Sequence, residues 1–202
     1  MNQVSQRPAH QDTRERILAT GEELISGRGF TALGLSEILS AAAVPKGSFY
    51  HYFQSKEGFG VAMLERYFAE YQQRLVALFN DQNLSALQRI MTYFNNWQAM
   101  AEASECHKLC LAVKLAAEVA DLSEPMRAAL SVGMSGITEQ IALAIRSAQM
   151  EGSISSNLNA LEVAESLYGM WVGASLITKV NRQLRPLQLA YKQTELLLQP
   201  LH

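Results

Sequence analysis

Little in this chain suggests a secreted or membrane-spanning protein. It has only 2 cysteines in 202 residues, so the disulfide framework of a small secreted domain is not expected. No apolar run approaches the roughly 18 residues of a membrane span, and residues 1–11 are polar, without the apolar core of a signal peptide. We therefore expect a cytoplasmic protein with no membrane contact.

The residue combinations that support catalysis are also missing. The 4 histidines are scattered along the chain, and no glycine-rich strand-to-helix turn is present to hold a phosphate. We therefore expect no enzymatic activity and no cofactor. A zinc site built from Cys106, His107 and Cys110 would lack a good fourth ligand, so we expect no bound metal either.

The charge balance excludes a nonspecific polycation. The formal net charge is −2 and the sequence pI is about 6.1, so any affinity for nucleic acid must come from the local placement of basic groups. We expect a DNA-binding unit of this kind to need a dimer for tight binding. The length allows one small domain and a larger one with its own core.

Residues 36–57 predict a helix, a tight turn and a second short helix. Leu35, Ile38 and Leu39 recur at helical spacing and form one apolar face. Pro45 favours a break before it and is tolerated in the first turn of the following helix. In that second helix we expect Val44, Phe49, Tyr52 and Phe53 to face inward, and Lys46, Ser48, Tyr50 and His51 to stay exposed.

The exposed side chains of this element are of the kinds that bind DNA. Lys46 can reach a phosphate or a guanine edge, while the hydroxyl and imidazole groups near it can donate to phosphate oxygens. Gly47 allows close backbone approach, and Ser55 is a good N-cap for a third helix. An ordinary helical corner with solvated polar residues is the alternative, since this geometry also occurs without DNA binding. The candidate DNA contacts are Lys46, Gly47, Ser48, Tyr50, His51 and Lys56.

The remainder of the chain predicts helices, because no alternating apolar pattern indicates a strand. The fold class is therefore all-α. We expect a helix-turn-helix DNA-binding domain at residues 1–55 and a helical sensing and dimerisation domain at residues 56–202. The predicted helices outside residues 36–55 span about 13–27, 56–80, 85–103, 108–119, 123–150, 159–183 and 187–198.

The last two predicted helices are unusually apolar. They either form internal core or meet a second copy in a two-fold four-helix interface. Small residues such as Gly169 and Gly173 would let helices approach closely. The apolar residues are Ala164, Leu167, Tyr168, Trp171, Val172 and Ala174 in one helix, and Leu187, Leu189, Leu196, Leu197 and Leu198 in the other.

The two cysteines lie close together and are candidate sensors. Cys110 precedes Lys114 by one helical turn, and nearby cations favour the reactive thiolate. Free cysteines are also among the most buried residues, so the residues alone leave a reactive and an inert Cys110 both open. An amine could trap an oxidised Cys110, and Lys114 and Lys179 are the candidates. Lys179 could instead pack its aliphatic chain on apolar surface and keep its ammonium in water. Whether Cys106 takes part is left open.

An apolar pocket would give a different kind of sensor. Such a pocket would bind a small hydrophobic inducer without covalent chemistry, although the same residues could form core. A helical adaptor that never binds DNA is a further alternative, and it predicts no salt-dependent DNA binding. The candidate pocket residues are Phe94, Trp97, Met100, Met134, Tyr168 and Trp171.

Over about residues 13–60 the chain resembles the DNA-binding domain of TetR-like repressors. The resemblance is carried by Arg-Gly-Phe-Thr at 28–31 and by Gly-Ser-Phe-Tyr-His-Tyr-Phe-Gln-Ser-Lys-Glu at 47–57. It implies a homodimer joined by its last two helices and bound to a palindromic double-stranded DNA operator, with its reading helices one DNA turn, ~34 Å, apart. By the same resemblance the contact groups are Lys46, Tyr50, Lys56 and the backbone N–H of Gly47.

Segments 56–66, 110–119, 121–127 and 167–174 resemble the NemR branch of this family, the repressors that govern N-ethylmaleimide reductase. The resemblance implies that a reactive electrophile or oxidant is sensed through a cysteine matching Cys110. Cys106 has no counterpart in the branch pattern, and Ala120 stands where a further cysteine can occur. We expect the modification to alter packing beneath the helix at 56–80, to change the separation of the reading helices and to release the operator.

Overall fold

The structure is a computed structural model that describes residues 9–106 and 110–199. These residues form α-helices and no strand, which confirms the predicted all-α fold. The helices are α1 (Ala9–Arg28), α2 (Leu35–Ala41), α3 (Lys46–Tyr52), α4 (Lys56–Phe79), α5 (Ala86–Ala103), α6 (Leu111–Val119), α7 (Glu124–Met150), α8 (Ala160–Asn181) and α9 (Arg185–Leu197).

Most helix ends lie within a few residues of their predicted positions, because capping residues mark them. Ser123 Oγ accepts from the Met126 N–H at 3.3 Å and caps α7. Pro186 occupies the first turn of α9, where its fixed φ suits a helix start. The largest difference is at α1, which begins at Ala9 rather than near residue 13.

The chain forms two compact units. The first comprises the described residues up to Tyr67 together with Lys114–Leu130, and the second comprises Phe68–Val113 and the described residues from Ser131 onward. Their boundaries fall inside α4, α6 and α7, so each of these helices contributes residues to both units. The predicted domain boundary at residue 55 stays a prediction, since these units follow contacts rather than family domains.

An aromatic cluster forms the core of the first unit. The Phe53 ring centroid lies 5.2 Å from that of Phe49 and 5.4 Å from that of Phe59. Helix α1 approaches this cluster at Gly21, where a Cβ would lie 2.3 Å from the tip of the Phe59 ring. Glycine is therefore needed for α1 to pack against α4, and this contact supports the helix-turn-helix from behind.

Aromatic stacking and two indole hydrogen bonds hold the second unit together. The Phe94 and Trp171 rings stack with centroids 4.9 Å apart. Trp97 Nε1 donates to Ser175 Oγ at 2.9 Å, and Trp171 Nε1 donates to Thr194 Oγ1 at 3.0 Å. These contacts join α5, α8 and α9, and each buried indole N–H has its acceptor.

Among the described helices, α7 is the one long and apolar enough to span a membrane by length and composition. Its most apolar 18-residue window has a mean hydropathy of 1.4, although no such run was expected from the sequence. The core helix of a soluble protein meets the same criterion, so length and composition alone do not identify α7 as a membrane span. Within the second unit α7 packs closely on α4, because a Cβ at Gly133 would lie 2.1 Å from the Phe68 ring.

Candidate DNA-reading and sensor sites

Helix α3 presents the residues predicted to contact DNA. Lys46, Gly47 and His51 are exposed, Ser48 is half-buried, and Tyr50 keeps 53% of its surface exposed. The exposed side of α3 is therefore accessible to the groove of a DNA duplex. Beneath it, Val44, Phe49 and Phe53 are buried as expected, and Tyr52 is half-buried.

The turn between α2 and α3 is held by backbone geometry. Ala43 has a φ of 51°, in the left-handed region, and the Val44 N–H donates to the Leu39 carbonyl at 3.0 Å. Pro45 then precedes α3 as its N-cap residue in an extended conformation, with φ −62° and ψ 147°. The sequence predicted the break here but not the left-handed alanine, because residues with a Cβ rarely adopt positive φ.

An open concavity of about 530 Å³ lies between α2 and α3. Lys46 and Tyr50 of α3 line this concavity on one side, and Ser36 and Ser40 of α2 line it on the other. Both serines belong to α2, on the side of the turn opposite the predicted contact residues of α3. The concavity is lined by Leu35, Ser36, Leu39, Ser40, Val44, Lys46 and Tyr50.

Lys56 is engaged within the protein. Its Nζ donates to the Phe30 carbonyl at 2.7 Å and lies 4.6 Å from the centre of the Phe30 ring. Burial lowers the pKa of Lys56, and the charges of Glu118 and Glu37 oppose that shift. An ammonium has three N–H donors, so a phosphate contact by Lys56 would have to share or replace the Phe30 bond. That contact stays a prediction.

Two side chains anchor α6 to α1 and the loop that follows it, all within the first unit. Glu118 Oε1 accepts from both the backbone N–H and the hydroxyl of Thr31 at 2.6 Å, and its Oε2 accepts from the Phe30 N–H at 3.1 Å. Lys114 Nζ donates to the Ser26 carbonyl at 2.8 Å. Lys114, a candidate amine for trapping oxidised Cys110, is thus bonded to the C-terminal part of α1.

The Glu118 carboxylate is stabilised in its charged form. Burial alone would raise the pKa of Glu118, but hydrogen bonds from Thr31 and Phe30 and the charge of Lys114 hold that pKa below its usual value. The loop also lies directly against the carboxylate, since a Cβ at Gly29 would be 2.9 Å from Oε2. Sequence reasoning missed this anchor, because its partners are far apart in the chain.

A small cavity in the second unit brings together three of the four predicted sensor residues. Its volume is about 10 Å³, which is room for roughly one water molecule. Cys106 is buried, and Cys110 and Lys179 are half-buried. The cavity is lined by Trp97, Met100, Ala101, Cys106, Cys110, Ser175, Thr178, Lys179 and Leu187.

Three tyrosines lie within electrostatic range of Cys110; Tyr93 and Tyr168 are buried, and Tyr71 is half-buried. Burial raises the pKa of Tyr71, Tyr93 and Tyr168, and negative charge on Cys110 would raise each of them further. The Tyr71 and Tyr93 hydroxyls lie 3.1 Å apart and share a hydrogen bond. Among the described residues, the buried Tyr168 hydroxyl has no hydrogen-bond partner. All three phenols therefore stay protonated at neutral pH and can only donate to a thiolate.

The backbone after α5 takes an unusual path that positions Cys106. Glu105 and Cys106 have φ values of 50° and 61°, a left-handed conformation that costs a non-glycine residue about 1–2 kcal/mol. The Cys106 N–H donates to the Ala101 carbonyl at 2.8 Å and closes the end of the helix. This turn leaves the Cys106 side chain 5% exposed.

Part of the predicted dimer surface proves to be internal core. Composition could not tell core residues from interface residues here, because α8 is apolar on nearly all sides. Only packing decides which side faces inward. Val172 is half-buried, while Leu189, Leu196 and Leu197 are exposed as an interface requires. The residues buried within the protomer are Ala164, Leu167, Tyr168, Trp171 and Ala174 of α8, with Leu187 and Leu198 from the α9 segment.

Leu189, Leu196 and Leu197 share their exposure with four apolar residues of α8, and the seven together are here called the α8–α9 apolar face. Val180 is its most exposed member, at 74%. Among the described residues, a Cβ added at Gly169 or Gly173 would meet no atom within 4 Å. A helix of a neighbouring molecule could therefore approach the backbone of α8 closely at these two glycines. The face consists of Leu161, Leu176, Ile177, Val180, Leu189, Leu196 and Leu197.

A second cleft in the same unit bears on the apolar-ligand alternative. Its volume is about 220 Å³, and Trp97 and Met100 are the only residues of the predicted apolar pocket that line it. Phe94 and Trp171 are fully buried in the core stack. The lining residues are Tyr71, Arg74, Leu75, Leu78, Tyr93, Asn96, Trp97 and Met100.

Within residues 9–106 and 110–199, no cluster of three or more His, Cys, Asp and Glu side chains is placed to hold a metal ion. His107, the middle member of the weak zinc pattern considered above, lies outside the described residues. The absence of a bound metal therefore stays a prediction.

Two family descriptions match this sequence. "Bacterial regulatory proteins, tetR family" covers residues 17–63, which contain the helix-turn-helix, and "Tetracyclin repressor-like, C-terminal domain" covers residues 86–194. The chain belongs to the TetR family. It is accordingly a DNA-binding transcriptional repressor with an N-terminal helix-turn-helix.

Individual relatives agree with this assignment. The chain is 45% identical to the HTH-type transcriptional repressor NemR of Escherichia coli K12, over 88% of this chain and 89% of the relative. It is 33% identical to the transcriptional regulator AcuR of Cereibacter sphaeroides, over 88% of this chain and 78% of that protein. The crystal structure of reduced E. coli NemR superposes with a TM-score of 0.86 at 43% identity, covering 95% of this chain and all of that one.

Proposed function

We propose that this protein is a homodimeric, cytoplasmic repressor that releases a palindromic operator when an electrophile or oxidant modifies Cys110. The observation that carries the proposal is the cavity shared by Cys110, Cys106 and Lys179 in the second unit. Similarity to the E. coli transcriptional repressor NemR, taken with the resemblance of several segments to the NemR branch, supports the electrophile class of inducer.

Helix α3 reads the operator. Lys46 binds a guanine edge or a phosphate, Tyr50 and His51 donate to phosphate oxygens, and the backbone at Gly47 approaches the DNA closely. Ser48 is half-buried, so it contributes at the edge of this surface. Lys56 adds a phosphate contact only when it shares its bond to Phe30. Two such helices in a dimer lie ~34 Å apart and meet successive major grooves on one side of the DNA.

The α8–α9 apolar face joins the two protomers. An exposed apolar surface of this kind marks an interaction site, and two helices from each protomer make a two-fold four-helix interface. Gly169 and Gly173 let the partner's helix approach, because nothing in the described protomer occupies the space beside them. Dimerisation also provides the doubled phosphate contacts that a chain of net charge −2 needs for tight binding.

Cys110 reacts as a thiolate. With a maleimide, the sulfur bonds to one alkene carbon, the C=C π bond breaks, and the other carbon takes a proton. With hydrogen peroxide, the sulfur takes one hydroxyl group and hydroxide leaves, which gives a sulfenic acid. The neutral amine of Lys179 can then attack that sulfur, forming an S–N bond and releasing water. We assign this trapping role to Lys179 rather than Lys114, because Lys114 is bonded to Ser26.

Helix α6 couples the sensor to the DNA-reading element. It begins at Leu111, directly after Cys110, and carries Lys114 and Glu118, the two anchors to α1 and its following loop. A displacement of Cys110 therefore moves a continuous helix whose far end holds the loop before α2. Release requires that the modified state cost about 3–5 kcal/mol in operator affinity.

A binding assay with matched thiol variants tests the proposal. Wild type and Cys110→Ser are mixed with the promoter fragment next to the protein's own gene at fixed salt, before and after N-ethylmaleimide or hypochlorite. We expect both reduced proteins to bind and only the wild type to lose binding on treatment. An equal response from the two proteins would move the sensor away from Cys110, and no binding by either would contradict the choice of operator or the DNA-reading assignment.

A noncovalent hydrophobic inducer is the second candidate, and the 220 Å³ cleft lined by Trp97 and Met100 favours it. This alternative predicts that a planar hydrophobic compound displaces the operator reversibly, and that Cys110→Ser retains the effect. Narrowing the cleft with Leu78→Trp would then weaken the response, whereas thiol-based release would be unchanged in that variant.

A further inference from the structure

Cys106 is the second thiol of the sensor cavity and takes no part in the alkylation of Cys110 or its trapping by Lys179. Its side chain is 5% exposed, and it lines the same cavity of about 10 Å³ as Cys110. A space of that size holds roughly one water molecule, so little separates the groups around it. Cys106 is therefore sheltered from bulk reagents but placed beside the thiol that reacts with them.

The backbone around Cys106 is shaped to turn this thiol inward. Two consecutive residues, Glu105 and Cys106, adopt the left-handed conformation that side chains disfavour. Hydrogen bonds from their N–H groups to the Glu102 and Ala101 carbonyls, at 2.9 and 2.8 Å, hold the turn. Left-handed residues often end a helix, usually as glycine or asparagine; here two residues with a Cβ adopt that conformation, and Cys106 is buried by it.

The cavity is also lined by a threonine whose buried hydroxyl could bond to a small polar molecule. Thr178 Oγ1 lines it, is 2% exposed as a residue, and has no hydrogen-bond partner among the described residues. Buried hydroxyls are normally paired, so this group indicates that a water or a peroxide-sized molecule enters beside the two thiols. The cavity thus combines two thiols, one amine and a binding position for a small oxidant.

We propose that Cys106 resolves oxidised Cys110 by forming a disulfide with it. Hydrogen peroxide or hypochlorous acid first converts the Cys110 thiolate to a sulfenic acid: the sulfur gains a hydroxyl group, and hydroxide leaves from peroxide or chloride from hypochlorous acid. The Cys106 thiolate then attacks the Cys110 sulfur; the S–S bond forms, the S–O bond breaks, and the departing hydroxide takes the proton released by Cys106 and leaves as water. Two cellular thiols then reduce the disulfide by successive exchange, which returns Cys106 and Cys110 to thiols and leaves the two reductant sulfurs joined to each other. The inference rests on the proposed function, because it requires that Cys110 is the residue oxidised.

The disulfide gives oxidants and electrophiles different outcomes at one site. Alkylation of Cys110 by a maleimide forms a stable C–S bond, and Cys106 cannot reverse it. Oxidation instead ends in a disulfide that protects Cys110 from the irreversible sulfinic acid. Cys106 competes with Lys179 for the same sulfur, and a sulfur nucleophile attacks a sulfenic acid more readily than an amine nitrogen does.

Peptide mapping of the full-length protein tests this directly. Trypsin cuts after Arg89, Lys108 and Lys114, so Cys106 falls in peptide 90–108 and Cys110 in peptide 109–114. Wild type and Cys106→Ser are treated with hydrogen peroxide, blocked with iodoacetamide and digested without reductant. Operator binding is measured on the same samples, before and after dithiothreitol.

We expect wild type to yield the two peptides joined, with the loss of two hydrogen atoms, and dithiothreitol to restore both the separate peptides and operator binding. In Cys106→Ser, peptide 109–114 should instead carry sulfinic acid or be joined to the peptide containing Lys179. If oxidised wild type gives those same products and no joined pair, the disulfide is wrong while the Cys110 switch stands. If peptide 109–114 stays unmodified while the operator is released, both proposals fail. Serine is nearly isosteric with cysteine, and the wild-type map is decisive even if the variant folds poorly.

Discussion

Replacing Glu118 tests whether α6 anchors the loop after α1. Its carboxylate accepts three hydrogen bonds, two from Thr31 at 2.6 Å and one from Phe30 at 3.1 Å. Hydrogen bonds to a charged group contribute about 1.5–3 kcal/mol each when buried. The Glu118 carboxylate is largely solvent-accessible, and water weakens each of the three bonds below that range. We therefore expect Glu118→Ala to lower the free energy of unfolding by about 2–4 kcal/mol in total. Glu118→Gln keeps one acceptor and should cost about 1–2 kcal/mol.

Thermal unfolding at one protein concentration measures these losses, because a chain of this size loses about 2–4 °C of Tm per kcal/mol. Glu65→Gln, at an exposed position of α4 in the same unit, is the matched control and should leave Tm within about 1 °C, as surface substitutions usually do. If Glu118→Ala unfolds at the temperature of the control, the three hydrogen bonds do not hold the loop and the coupling through α6 loses its basis.

The same carboxylate predicts a dependence of stability on pH. The pKa of Glu118 is lowered in the folded protein, so the folded state binds its proton less tightly than the unfolded chain does. Its stabilising contribution is fully present above the unfolded value of about 4.3. It is lost as pH falls through the lower folded pKa. The difference in unfolding free energy between wild type and Glu118→Gln should therefore narrow in acid, and a difference independent of pH would contradict the assignment.

Three further predictions concern packing, DNA contact and assembly. Gly133→Ala drives a Cβ into the Phe68 ring at 2.1 Å and should destabilise by about 1–2 kcal/mol net of its gain in helix propensity; Gly136→Ala, whose nearest neighbour is 3.9 Å away, should be neutral or stabilising by thermal unfolding, and equal effects would refute the close packing. Tyr50→Phe should weaken operator binding about tenfold at unchanged Tm, and unchanged affinity in a titration at fixed salt would remove Tyr50 from the contact set. Val180→Glu should convert the dimer to monomer in light scattering, and a dimer of unaltered stability would place the interface elsewhere.

Local chemistry made the helix-turn-helix predictable. Pro45 and the apolar spacing around it fix where the two helices break and which sides face inward, and Phe49 and Phe53 are buried as that spacing requires. Capping residues such as Ser123 likewise located helix ends from neighbours only a few positions away. Tyr50 and Lys46 followed from the same periodicity, since residues between the buried positions must face outward.

The remaining features depend on contacts distant in sequence or on disfavoured backbone. The apolar residues of α8 gave no indication of which would pack inside, so the sequence left core and interface both open for Trp171 and Leu167, which the structure places in the core. The bond from Lys114 to Ser26 joins residues far apart in the chain, and no local pattern reveals it. The left-handed turn at Cys106 contradicts local preference, and such exceptions are expected where a chain holds a functional group in place.

The most direct test of the switch relates the chemical state of Cys110 to operator affinity in the same samples. Wild type is treated with increasing peroxide, the modified fraction of peptide 109–114 is quantified by mass spectrometry, and the operator dissociation constant is measured at fixed salt. We predict that binding is lost in proportion to modification, with an affinity at least about 100-fold weaker at full modification. Fully modified protein that binds the operator within about threefold of the reduced protein, a difference below 1 kcal/mol, would contradict the account.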